Sequence, residues 1–156
     1  MILPTSYSLE WIRSIQKKTK TDPGLVEKVV WALTLLEQLQ CSGLDFIFKG
    51  GTSLILLLQE PRRLSIDIDI IVQPQNRDAL PAIVKSIEER GIFAKVEAQV
   101  RSTGKTIPKT HYKFFYRSVL FDKEEPLLLD VLFEENPYTC LEMLPICSSF
   151  VQCDEN

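Results

Sequence analysis

A chain of 156 residues with 45% hydrophobic and 25% charged residues is sized and composed for one globular domain with its own core. Its net charge of -3 gives no general basic footprint, which argues against tight non-specific nucleic-acid binding and leaves room only for local basic patches. The four cysteines, Cys41, Cys140, Cys147 and Cys153, form no Cys-x-x-Cys pair, and the single histidine, His111, lies far from them in sequence, so zinc is not expected. Met1-Ile2-Leu3-Pro4 leads straight into a polar, amphipathic segment unlike a signal peptide, and no apolar run reaches the roughly 20 residues of a membrane span. These features describe a cytoplasmic protein with reduced thiols and no membrane partner.

From Ser8 to about Lys18, Leu9, Ile12 and Ile15 recur at helical spacing. Asp22-Pro23 supplies an N-cap and a first-turn proline for a second helix, which runs through Leu25, Val29, Leu33, Leu36 and Leu39 to about Gln40, with Gly43 as its stop. Trp31 within it reads as core. Phe46-Ile47-Phe48 is a short buried strand, and Thr52 to Leu58 reads as a helix that is apolar nearly all round and therefore buried. Pro61 ends it. Ile66 to Val72 is a strand with Ile66, Ile68 and Ile70 on one face and Asp67 and Asp69 on the other. Asn76 caps a helix to Arg90 with Leu80, Ile83, Val84 and Ile87 inward, although Pro81 moves its start later; Gly91 ends it. Ile92 to Arg101 and His111 to Leu120 make an antiparallel hairpin across a loop holding Gly104 and Pro108. Leu127 to Phe133, LLLDVLF, is a continuous apolar strand broken only by Asp130, and Ser148 to Val151 suits a short edge strand. Helices and strands mix without a regular βαβ repeat, which predicts an α+β domain with a mixed β-sheet of about five strands and flanking helices.

The chemistry concentrates between Lys49 and Val72, KGGTSLILLLQEPRRLSIDIDIIV. Two aspartates at i and i+2 on one strand face repel each other, and a shared divalent cation relieves the repulsion. The alternative is a solvated strand face, but the surrounding sequence is strongly apolar. Gly50-Gly51 exposes backbone N–H groups ahead of a helix, a favourable place for phosphate; an ordinary strand-to-helix turn is the plainer account. A lone Asp130 within LLLDVLF is costly to bury without a partner, unless it lies at an edge facing water. Arg101, Lys105, Lys109, Lys113 and Arg117 make the hairpin the most basic part of the chain, with Phe114, Phe115 and Tyr116 among them. A solvated hairpin with core aromatics accounts for that pattern better than RNA contact. His111 reads as a surface histidine.

The order apolar strand, Lys49-Gly50-Gly51-Thr52, Leu54, Arg63, Ser65, Asp67 and Asp69 resembles the DNA polymerase β-like nucleotidyltransferases, and within them the AbiEii/AbiGii toxin group. The likeness is clear over these two dozen residues and looser from about Asp22 to Val151. It implies the polymerase β-like fold over residues 1–156, as a single nucleotidyltransferase domain in which the family's helical C-terminal part is absent. It also implies Mg2+-dependent transfer of a nucleoside monophosphate from a nucleoside triphosphate to an acceptor hydroxyl. Asp67, Asp69 and Asp130 then form the three-carboxylate catalytic cluster that holds two magnesium ions. Gly50, Gly51, Thr52 and Ser53 cradle the β- and γ-phosphates, with Lys49, Arg63 and Ser65 completing the nucleotide site; Arg63 either neutralises triphosphate charge or braces the aspartates in an ion pair. RNA as acceptor and a cognate antitoxin as partner follow from the same resemblance. Two other readings remain open: a noncatalytic nucleotide-binding or protein-interaction remnant of such an enzyme, and a small-molecule nucleotidyltransferase of the antibiotic-modifying kind.

Overall fold

The computed structural model describes residues 1–58, 66–99 and 109–154. Its helices begin where the caps put them. Ser8 Oγ accepts from the Trp11 backbone N–H at 3.1 Å and opens α1 (Leu9–Thr19), which closes on Lys20 in the left-handed region. Asp22 Oδ1 accepts from the Leu25 N–H at 3.2 Å and opens α2 (Pro23–Cys41), with proline in its first turn. Gly43, at φ +78°, turns the chain away after α2. Along α2 Val26, Val29, Val30, Leu33, Leu36 and Leu39 are essentially removed from water, because this helix lies against the sheet and carries the middle of the core.

Five strands, β1 (Ile47–Lys49), β2 (Ile68–Val72), β3 (Lys95–Gln99), β4 (Lys109–Arg117) and β5 (Glu124–Phe133), make one mixed sheet in the order β1-β2-β5-β4-β3. The β2–β5 pair is parallel; the other three are antiparallel. Side chains alternate across the sheet. Ile68, Ile70 and Val72 on β2, Leu127, Leu129, Val131 and Phe133 on β5, and Tyr112, Phe114 and Tyr116 on β4 join α1, α2 and α4 (Leu80–Glu89) in one core. Trp31 packs there with Tyr7, Phe93 and Tyr116 at ring centroid distances of 4.9, 5.5 and 5.1 Å, as expected of a core residue. The mixed five-stranded α+β architecture is therefore the one the sequence predicts.

Several local expectations are corrected. The segment after Gly50-Gly51 is no buried helix: a 3-10 turn (Gly51–Ser53) leads into α3 (Leu54–Leu57), a single turn in which only Ile55 is buried. Leu54, Leu57 and Leu58 are 43%, 51% and 49% exposed, because α3 lies outside the helical layer that covers the sheet. The aspartate strand starts at Ile68, so Asp67 precedes it. Residues from Pro74 to Ala79 are 3-10, and α4 begins at Leu80 with Pro81 in its first turn. In place of an edge strand at Ser148–Val151 there is one antiparallel bridge, Ile2 to Cys153. It is backed by the Leu3 N–H donating to Gln152 O at 2.7 Å and the Trp11 indole N–H donating to Phe150 O at 2.8 Å. Cys147 and Cys153, with Cα atoms 6.2 Å apart, are joined in a disulfide rather than both reduced, while Cys41 and Cys140 are free and exposed. Among the described residues no helix is long and apolar enough to cross a membrane. Arg101, Gly104, Lys105 and Pro108 lie outside the described residues.

A buried carboxylate fixes the β4–β5 connection. Glu27 on α2, almost wholly buried, accepts from Ser118 Oγ at 2.7 Å and from the Val119 backbone N–H at 2.7 Å. Ser118 Oγ in turn accepts from the N–H groups of Leu120 and Phe121 at 3.2 and 3.1 Å. Removing the carboxylate leaves buried donors unpaired. Glu27→Ala is expected to lower unfolding stability by about 2–3 kcal/mol, more than the roughly 1 kcal/mol expected of Ser118→Ala. Urea denaturation of the two single variants and the double variant measures the coupling between them.

Candidate active site

The parallel register of β2 with β5 sets Asp69 directly opposite Asp130. The antiparallel registers on either side extend that pairing. Lys49 lies opposite Asp69, His111 opposite Asp130, and Gln99 opposite His111. Residues opposite one another in a ladder share a face. One polar row, Lys49–Asp69–Asp130–His111–Gln99, therefore crosses all five strands on the face turned away from the helices. A small cleft of about 60 Å3 opens on this row, lined by Lys49, Asp69, Lys109, His111, Asp130 and Leu132 with two β-strand neighbours.

Burial holds the Asp69 carboxyl above its ordinary pKa, and the Asp130 charge adds to the effect; Asp67 pushes the same way, while Lys49 and Lys109 pull it down. Two further carboxylates and two ammonium groups are thus within electrostatic reach of Asp69. The His111 imidazole Nδ1 is hydrogen-bonded to Asp130 Oδ1. With its side chain only 14% exposed, His111 is not the surface histidine the sequence suggests. It and Lys109 are the site residues sequence reading missed. The available signal was the two-residue spacing of Lys109 and His111 on a strand whose other face is aromatic.

Gly50 explains how the turn reaches this row. Its φ of +80° suits glycine alone, and a Cβ built there would stand 2.6 Å from Asp69 Oδ2. The Gly50 backbone therefore lies directly on the Asp69 carboxylate. Thr52, fully buried, donates from Oγ1 to the Asp67 carbonyl at 2.5 Å, and Ser53 Oγ donates to the Gly50 carbonyl at 2.6 Å. Thr52 thus ties the turn to the aspartate segment, and Ser53 closes the turn on itself. What the turn offers a ligand is backbone. Arg63 and Ser65 lie outside the described residues.

The donor set suits magnesium. Asp69 and Asp130 are hard oxygen donors in adjacent ladder positions, and their mutual repulsion is what a divalent cation removes. Among the described residues no three His, Cys, Asp or Glu side chains are grouped closely enough to hold an ion by themselves. That is compatible with magnesium, which commonly takes one or two carboxylates and fills its remaining positions with water and substrate phosphate. A larger concavity of about 520 Å3 wraps the outer edge of β1, walled by Phe46, Phe48, Leu57, Tyr138, Met143 and their neighbours. It touches the site only through Lys49, Gly50 and Ser53 and contains none of the carboxylates.

A family model described as nucleotidyl transferase AbiEii toxin, type IV TA system, matches residues 34–153. No curated protein matches the chain. Among solved structures, that of JHP933 from Helicobacter pylori is similar at 20% identity with a TM-score of 0.47, over 72% of this chain and 44% of that one. The chain thus spans less than half the length of that protein. Since the family model spans well over half of the present sequence, from the middle of α2 to the terminal bridge, the chain belongs to the AbiEii nucleotidyl transferase toxin family.

Proposed function

We propose that this chain carries the catalytic site of a Mg2+-dependent nucleotidyltransferase. It moves a nucleoside monophosphate from a nucleoside triphosphate to an acceptor hydroxyl, RNA being the favoured acceptor, and acts as the toxin of a toxin–antitoxin pair. The observation that carries the reading is the Asp69–Asp130 pair set side by side by parallel strands, with the Gly50 backbone laid against it. Asp69 and Asp130 would hold the magnesium, with Asp67 at the entry of β2 contributing charge. Bound there, magnesium supplies charge neutralisation for the triphosphate and for the pyrophosphate that leaves. The chain's own residues do the rest. Backbone N–H groups of the Gly50–Ser53 turn orient the distal phosphates, Lys49 and Lys109 offset their charge, and Asp130 is placed to accept the acceptor hydroxyl's proton.

A second reading, a non-catalytic module acting through contacts, is favoured by the apolar concavity beside β1 and by exposed Leu54, Leu57, Leu141 and Met143 around it. Nucleotide binding separates the two. In calorimetric titrations of the four nucleoside triphosphates with magnesium, the wild type is expected to bind at least one, and Asp67→Asn combined with Asp69→Asn to lose that binding. Equal binding by both proteins would overturn the site assignment.

Gly50→Ala places a methyl group against Asp69 at a backbone conformation alanine disfavours. It is expected to cost about 1–2 kcal/mol of stability and to weaken nucleotide binding about tenfold or more, as read by thermal melts and the same titrations.

The raised pKa of Asp69 fixes a pH dependence. The folded state binds more protons than the unfolded state between the ordinary aspartate value, about 3.9, and the higher folded one. Stability from this group is present below that window and is lost as pH rises through it. In metal-free protein at neutral pH, Asp69→Asn should therefore raise the melting temperature by a few degrees. The gain should vanish when the melt is repeated in the ordinary carboxylate range; a lower melting temperature at neutral pH would contradict the assigned repulsion.

A further inference from the structure

We infer that His111 is a positioning residue for Asp130: its Nδ1–H occupies one carboxylate oxygen, fixes the carboxyl group's rotation, and leaves the other oxygen for a cation shared with Asp69. The role of the cation rests on the nucleotidyltransferase reading above; the hydrogen bond itself does not.

Four observations carry the inference. His111 and Asp130 are direct cross-strand partners, so the ladder fixes their backbones relative to each other and only the side-chain torsions remain to be set. The imidazole is sandwiched in the polar row, 14% exposed, where a freely rotating ring has no room. Its Nδ1 contacts Asp130 Oδ1, and among the described residues no other hydrogen bond restrains that carboxylate. On the opposite side of Asp130 stands Asp69, whose charge would otherwise turn the Asp130 carboxylate away. A carboxylate between a like charge and open solvent has no reason to hold one orientation. A donor on its far side supplies one, as the outer partners of metal-binding carboxylates do. Lysine serves less well here, since an ammonium on a long flexible stem fixes charge but not geometry.

The chemistry of the donor atom gives a sharp discriminator. The amide nitrogen of asparagine lies at the same position along the side chain as histidine Nδ1, whereas that of glutamine lies one methylene further out. His111→Asn therefore retains a donor at the right reach, and His111→Gln and His111→Ala do not.

Because His111 is the single histidine of the chain, 15N labelling of histidine gives one pair of ring-nitrogen signals. In metal-free wild type at about pH 8, these should report the Nδ1–H tautomer. Asp130→Ala should shift the ring to the Nε2–H form. Mn2+, used alone as the probe and titrated calorimetrically, should bind His111→Asn within about twofold of wild type. His111→Gln and His111→Ala should bind it about tenfold more weakly, with melting temperatures unchanged. An Nε2–H ring in the wild type, or wild-type Mn2+ affinity in His111→Ala, would overturn the positioning role and leave the nucleotidyltransferase reading intact. Equal Mn2+ binding by wild type and Asp69→Asn would instead overturn the metal site, and the positioning role with it.

Discussion

The parallel pairing of β2 with β5 is the constraint on which the site depends. Parallel neighbours cannot be joined by a tight turn, so everything from Pro74 to Lys123, α4 and the β3–β4 pair included, is the crossover that brings β5 back beside β2. The register then follows from burial. Ile68, Ile70 and Val72 must align with Leu129, Val131 and Phe133 to share one core face, and a slip of one residue would exchange every inward side chain for an outward one. Burial thus puts Asp69 and Asp130 on the same outward face, and the register sets them opposite each other. The hydrophobic face thereby sets the geometry of the charged one.

This arrangement is unfavourable for the apoprotein, and its cost is spread over the neighbourhood. Adjacent carboxylates, one of them partly desolvated, raise the energy of the ionised state. Lys49 and Lys109 offset part of it through space, and the His111 hydrogen bond offsets part through contact. The remainder is tolerated because the opposite face is so well filled, with α2 contributing an almost continuous set of buried side chains between Val26 and Leu39. Glu27 shows the contrast. Its carboxylate is more deeply buried than Asp69 yet has two short donors and a fixed turn to hold. One buried carboxylate is held by two donors and acts on the fold; of the other pair, Asp130 is bonded to His111 while Asp69 faces a like charge across the ladder.

Much of the fold was legible in the sequence, because its signals are local. Ser8 and Asp22-Pro23 cap their helices, Gly43 ends α2, and the apolar run LLLDVLF forms the last part of β5, which begins at Glu124. The carboxylate pair was legible for the same reason: an aspartate isolated in an apolar strand needs a partner, and the sheet supplies one. The buried helix expected from Thr52 to Leu58 failed because apolar residues on all sides indicate burial only if another element covers them, and among the described residues none covers α3. Asp67 was read onto the strand with Asp69, but its carbonyl is drawn to Thr52 instead. His111 was missed because its two-residue spacing from Lys109 reports only a shared strand face, while its partner Asp130 lies nineteen residues away across the ladder. The Cys147–Cys153 disulfide was missed for a related reason: the spacing admits the pairing, but only the fold of the terminal segment against Ile2 brings the two together.

The turn at Gly50 links these themes. A residue with any side chain would separate the turn from β2 by at least the size of a methyl group, since Asp69 Oδ2 already occupies the space a Cβ needs. Buried Thr52 fastens the turn to the aspartate segment through the Asp67 carbonyl, and Ser53 Oγ closes the turn on the Gly50 carbonyl. Both hydrogen bonds stiffen the loop. A loop held by the Thr52 bond to the residue that leads into β2 keeps its backbone close to the Asp69 carboxylate. For the proposed nucleotide site, that closeness lowers the entropic cost of bringing loop N–H groups and carboxylates to one ligand.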